Sequence, residues 1–255
     1  MELLLLFVIG LSLCFGSFLT VVIDRLPRGE SIIWGSSHCE HCRHKLHALD
    51  LIPVFSFLLL KGRCRYCHKQ FSAYYPIIEI TTAALFAFTF VSYHSTPYVL
   101  LFMLFVVTIL IVIFFTDIKY GIIPFMIVVP ACVIILAYTA LFTPSVLLSS
   151  ILSAIGLFLF FFLLYRYTHG RGMGFGDVMY VCLMGLLLGF PRSILGLYIA
   201  FLTGAIVAVL LILIKKKKFS GGTIPFGPFL VLGTFIGLFW GDFLVEKAIQ
   251  LLFPL

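Results

Sequence analysis

Six long stretches of this chain contain no Asp, Glu, Lys or Arg. They cover residues 3–23, 80–116, 120–165, 178–191, 193–214 and 219–241, with lengths of 21, 37, 46, 14, 22 and 23 residues. One helix needs about 20 consecutive apolar residues to cross a bilayer. The second run breaks at Ser92-Tyr93-His94-Ser95-Thr96-Pro97, and the third at Phe142-Thr143-Pro144-Ser145, so each yields two spans. The expectation is an all-α polytopic membrane protein of about eight transmembrane helices. The 178–191 span is short, with Asp177 at its membrane edge. Trp240 reads as an interface anchor, and Asp242 to Leu255 is expected to lie along the surface. Composition agrees: 62% of residues are hydrophobic and 11% charged, where a soluble domain carries about 25% charged residues. That excludes a soluble globular enzyme, a disordered chain and a disulfide-rich secreted module.

Orientation follows from the basic residues. Alternate loops (24–76, 117–124, 166–176 and 215–218) hold eight, one, two and four Lys or Arg, 15 in all, against Arg192 and Lys247 on the other side. Basic loops stay in the cytoplasm, which places both termini outside and the protein in the cell (inner) membrane. The net charge of +7 then faces anionic membrane lipid, and nucleic acid is not needed to explain it. Lys215 to Lys218 reads as a topology anchor. Glu2 stands where a signal peptide would carry basic residues, so the first apolar segment reads as a retained span.

The one extended polar segment, 24–76, contains Cys39-Glu40-His41-Cys42 and Cys64-Arg65-Tyr66-Cys67. Two C-x2-C knuckles complete a tetrahedral zinc site. His38, His41, His44, His47 and His68 are alternative ligands. The cytoplasm is reducing, which disfavours disulfides. So small a domain lacks the core to fold alone, and metal ligation compensates. Four protein ligands leave no open position, so the zinc is expected to be structural. Three parts follow: a first transmembrane helix over 1–23, a cytoplasmic zinc-binding domain over 24–76, and a transmembrane domain over 77–255. Cys14, Cys132 and Cys182 read as small core residues.

Of ten acids, Glu79, Asp117 and Asp177 lie at or inside a membrane helix, where ionisable groups are costly and functional by default. Asp117 closes the third span, and Asp177 opens the sixth. The topology places both at the cytoplasmic end. Two carboxylates at one depth on neighbouring spans can share a proton. That is the state an aspartic protease uses: one carboxylate takes a proton from water while the other polarises the scissile carbonyl. The plain alternative is a pair of helix caps, or ion pairs with Lys119 or Arg171. Gly170, Gly172, Gly174 and Gly176 precede Asp177, a density that opposes helix and permits close backbone approach.

These residues resemble the type IV prepilin peptidases, intramembrane aspartic proteases with a G-x-G-D motif. Gly174-Phe175-Gly176-Asp177 matches that motif, and Asp117 matches the family's first catalytic aspartate. Gly16-Ser17-Phe18 with Val21-Val22-Ile23-Asp24-Arg25-Leu26-Pro27 resembles the N-terminal signature, in which Thr20 stands where the family has Asn. Cys39, Cys42, Cys64 and Cys67 match a zinc tetrad. Tyr75-Pro76 with Glu79 matches the start of the second span, and Pro225 to Phe229 a C-terminal glycine-proline segment. The resemblance implies removal of the leader from type IV prepilins or pseudopilins at the cytoplasmic face. It also implies, for many members, N-methylation of the new terminus with S-adenosylmethionine. Gly174, Gly176, Glu79 and Lys119 are supporting candidates around the Asp117–Asp177 pair. Glu79 has three readings besides a buried hydrogen-bonded acid: an ion pair with a loop cation, support of the dyad, or contact with a methyl-transfer site. Two competing classes are a proton- or ion-coupled transporter with Asp117 and Asp177 as a relay, and a non-enzymatic zinc-stabilised scaffold.

Overall fold

The computed structural model describes residues 2–214 and 225–252; the Lys215–Lys218 run lies outside them. Nine helices follow in order among the described residues: α1 (Glu2–Arg25), the short α2 (Phe55–Leu59), α3 (Tyr74–Tyr93), α4 (Pro97–Tyr120), α5 (Phe125–Phe142), α6 (Pro144–Tyr167), α7 (Phe175–Leu188), α8 (Arg192–Leu213) and α9 (Gly227–Leu252). No strand occurs among the described residues, only the isolated bridges His38–Lys45 and Arg63–Gln70. Seven helices, all but α2 and α7, are long and apolar enough to cross a membrane. The expected eighth span is α7, apolar but only 14 residues long.

Both long charge-free runs divide where the polar breaks predict. The helix breaks between Tyr93 and Pro97, and again around Thr143. Pro144 takes the first turn of α6, where its missing N–H costs nothing. The last span differs from expectation. Trp240 does not end it, and Asp242 to Leu252 continues as the last part of α9. Asp242 accepts both Nε and Nη2 of Arg192, so one of the two cations assigned to the outer side is held by a bidentate ion pair. Nor are the three membrane cysteines core residues, since Cys14 is exposed and Cys132 and Cys182 are half-buried.

The chain divides into two compact units, Met1–Phe115 and Thr116–Leu255. In the first, α1 packs on α3, and the Tyr74 hydroxyl donates to the Phe115 carbonyl of α4 at 2.7 Å. Ile23, Ile78 and Thr82 are fully buried there. The polar loop between α1 and α3 carries 3-10 turns at Leu26–Arg28 and Ala48–Leu51, and α2. In the second unit α7 packs against α5, α6, α8 and α9. Val178, Tyr180, Val181 and Met184 are wholly buried, and the Tyr180 hydroxyl donates to Thr234 Oγ1 at 2.9 Å. A helix enclosed by protein need not match bilayer thickness, which accounts for the short run.

Candidate active site

The second unit holds both membrane-edge aspartates. Asp117 lies in the last turn of α4 and is 5% exposed, while Asp177 lies in the first turn of α7 and is 9% exposed. Each carboxylate is held by a backbone amide. The Gly227 N–H, at the start of α9, donates to Asp117 Oδ2 at 2.9 Å. The Gly174 N–H, just before α7, donates to Asp177 Oδ2 at 3.1 Å. Asp177 thus occupies the third helical position, where a carboxylate caps the orphan amides and meets the positive end of the helix dipole. The helix-cap reading of Asp177 is therefore correct for one of its oxygens. The ion-pair reading is not, since among the described residues no cation pairs with either aspartate.

The glycines have separate reasons. Residues 168–174 are non-helical as expected, but Gly176 lies within the first turn of α7. A Cβ on Gly176 would stand 3.0 Å from Ile123 Cβ, so its hydrogen lets the turn before α5 approach α7. A Cβ on Gly227 would stand 2.6 Å from Asp117 Oδ2. Only a bare backbone brings that amide to the carboxylate. Lys119 is exposed, with Nζ 5.4 Å above the Tyr120 ring. Residues two apart point to different helix faces, so Lys119 does not share the face of Asp117. Thr116, one residue from Asp117, is fully buried and has the one buried side-chain oxygen without a hydrogen-bond partner among the described residues. Nothing in its sequence neighbourhood singles it out.

The first unit holds the other candidates. Glu79 is 7% exposed, and its Oε2 accepts the Val54 N–H at 2.8 Å. That is the buried, hydrogen-bonded acid among its sequence readings. The four cysteines converge: the Sγ atoms of Cys39, Cys42, Cys64 and Cys67 all lie within 4.8 Å of one another, and no histidine joins the cluster. Zn–S bonds of about 2.3 Å in a regular tetrahedron give sulfur separations of about 3.8 Å. Cys39 and Cys67 are 3.8 Å apart. The two knuckles repeat one backbone design. The first cysteine's N–H donates five residues on, to His44 in one and Lys69 in the other. The residue after the second cysteine, Arg43 or His68, has positive φ and donates back to the first cysteine's carbonyl. The Cys64 thiol is opposed by burial, yet the amides of Cys67 and Tyr66 and the neighbouring thiols bring it down to about 7. Despite the Lys69 amide, burial and the neighbouring thiols push Cys67 the other way, up to about 11. The tetrad fits zinc and leaves no ligand position open.

The family described as Bacterial Peptidase A24 N-terminal domain matches residues 10–93. The Type IV leader peptidase family matches residues 104–209, a range containing Asp117 and Asp177. A prepilin leader peptidase/N-methyltransferase of Bacillus subtilis (strain 168) is 31% identical, covering 97% of this chain and 98% of its own length. Proteins of that name from Legionella pneumophila and Aeromonas hydrophila are 33% and 31% identical, covering 94% and 91% of this chain and 92% and 89% of their own lengths. No solved structure matches the chain. The transporter reading finds no support in these relatives. With 31% identity sustained over nearly the full length of two chains, and with the membrane helices and the cysteine cluster in place, the protein belongs to the type IV leader peptidase family.

Proposed function

We propose that this multi-pass membrane protein is an aspartic endopeptidase of the inner membrane, with its active site on the cytoplasmic side. It removes the leader of type IV prepilins or pseudopilins and N-methylates the new terminus. Asp117 and Asp177 are its catalytic residues, in the membrane domain 77–255, and the zinc-bound segment 24–76 is its cytoplasmic domain. The observation that carries the reading is the paired geometry in the second unit. Two buried carboxylates, one in the last turn of α4 and one in the first turn of α7, each have one oxygen fixed by a backbone amide.

In hydrolysis one carboxylate accepts a proton as a water oxygen bonds to the scissile carbonyl carbon. The other, protonated, donates to the carbonyl oxygen. The C–N bond then breaks, and the amine leaves with a proton returned by the dyad. The Gly174 and Gly227 amides hold the geometry through both steps. The reaction needs one of the two protonated and the other charged, the state that a pair of carboxylates sharing one site adopts. For the second activity, S-adenosylmethionine supplies an electrophilic methyl group when bound.

The deciding experiment co-expresses the chain with a candidate prepilin in membranes and compares wild type with Asp117→Asn and Asp177→Asn. Wild type releases the leader, and mass spectrometry finds a methylated new terminus. Full cleavage by either variant sinks the dyad assignment.

A further inference from the structure

Residues 51–60 form an uncharged run inside the polar loop, between Asp50 and Lys61, with Ser56 as its one polar side chain. Such a run is too short to cross a bilayer, and it forms either a buried core segment or an interfacial or re-entrant one. It is not core. Phe55, Leu58 and Leu59, at positions i, i+3 and i+4 of α2, share one face and are 62%, 65% and 82% exposed. Ser56, Phe57 and Leu60 instead line a cavity together with Ser17, Thr20 and Val21 of α1. A helix apolar on all sides belongs inside protein or inside a membrane.

Glu79 fixes the depth of α2. Its Oε2 accepts the N–H of Val54, the residue just before α2, at 2.8 Å. Glu79 lies five residues inside α3, about 7.5 Å along the helix axis. Gly16 of α1 packs against it, where an added Cβ would stand 2.8 Å from Glu79 Cα. Gly16 in turn lies eight residues before Asp24 at the loop end of α1, about 12 Å along the axis. A glutamate side chain cannot span that distance, so Val54 and α2 lie beside the uncharged part of α1 and not beyond its end. Backbone at such depth needs its polar groups satisfied, and here they are. Pro53 has no N–H, the Val54 amide goes to Glu79, and the Ser56 and Leu58 amides donate to the Ile52 and Val54 carbonyls. Val54 turns the chain at φ 62, a conformation rare for a β-branched residue. Trp34 is exposed too, and its carbonyl accepts Arg25 Nη1 at 3.1 Å. That keeps the indole near the end of α1, the level at which tryptophan meets lipid headgroups.

We propose that residues 51–60 are a re-entrant element that dips into the leaflet on the loop side. Phe55, Leu58 and Leu59 contact lipid there, and Glu79 is a positioning residue that holds the turn at that depth. The element is continuous with the lipid-facing surface of α3, where Ile77 and Ile80 are exposed. Lys61 is exposed where the run ends, in place to meet anionic headgroups. Asp50 and Lys61 both stay on the loop side, so the number of crossings is unchanged and the rest of the segment 24–76 stays outside the bilayer.

The test is tryptophan fluorescence of the full-length protein in nanodiscs, with Trp34→Phe and Trp240→Phe removing the two native indoles. Leu58→Trp then places a single indole on the outer face of α2. It should lose as much emission to lipid brominated on its acyl chains as Ile80→Trp does on α3, and be shielded from aqueous iodide. Phe55→Trp repeats the reading from the other end of the same face. Glu79→Leu leaves the Val54 amide without its acceptor, and should shift the Leu58→Trp indole from lipid quenching to iodide quenching. Glu79→Gln keeps an acceptor and should leave it in lipid. Iodide quenching without lipid quenching at both Leu58→Trp and Phe55→Trp overturns the proposal. So does protection from both quenchers, the mark of a protein partner or a second copy covering α2. Lipid quenching unchanged in Glu79→Leu overturns the positioning role.

Discussion

The backbone N–H of Gly227 donates to Asp117 Oδ2 at 2.9 Å, across 110 positions of sequence. The Gly174 amide does the same for Asp177 from three residues away. One aspartate is therefore set by its own helix start, and the other by a distant helix that must pack correctly first.

That asymmetry predicts the behaviour of Gly227→Ala. The added Cβ would stand 2.6 Å from Asp117 Oδ2 and 2.9 Å from its Cγ, so the carboxylate or α9 has to move. A displacement of about 1 Å at a reacting group costs about a hundredfold. Leader cleavage should fall about tenfold to a hundredfold while the protein still inserts, as read by cleavage rate against membrane-extracted protein. Wild-type rates would remove Gly227 from the site.

Asp117→Asn and Asp177→Asn should each lower cleavage by about a hundredfold or more, the usual scale of a lost general acid or base. Unchanged expression and solubility in detergent would show the loss to be chemical. Asp177→Asn retains a side-chain acceptor for the Gly174 amide, so a gross folding defect in that variant would contradict the geometry.

Cys39→Ser should lower zinc content and destabilise the loop of the first unit without deleting a catalytic group. Zinc removal with a strong chelator should reproduce it, because a structural site contributes its binding energy to folding. The measurement is bound zinc per protein beside thermal unfolding. Protein that is stable yet purifies without zinc would defeat the tetrad.

Asp50 supplies a pH prediction. What burial it has works to raise its pKa, but the His47 amide, the Arg65 guanidinium and the Tyr66 hydroxyl together hold its carboxyl below the usual range. A carboxyl depressed in the folded state stabilises that state fully above its unfolded value, about 3.9. The contribution is lost as pH falls through the lower folded value. Asp50→Asn should therefore speed hydrogen exchange in the loop at neutral pH, and its difference from wild type should shrink as the pH drops below about 4. A difference independent of pH would show that Asp50 acts by packing rather than charge.

Much of this protein was legible in its runs of uncharged residues. The breaks near Pro97 and Pro144, the four-cysteine cluster and the isolation of Glu79, Asp117 and Asp177 among ten acids are local properties of the chain, set by the thickness of a bilayer and the cost of charge within it. Sequence alone misread other points. Lys119 is two residues from Asp117 in the chain but on a different helix face, and α9 runs on past Trp240. What only the tertiary structure decided depends on which helix lies beside which. The packing of α9 delivers the Gly227 amide to Asp117, the enclosure of α7 by four helices lets a 14-residue segment carry Asp177, and the folding of the polar loop over α1 and α3 leaves Glu79 facing a cavity. Each joins groups distant in sequence, and hydropathy, being a sum over neighbours, carries no information about such pairs.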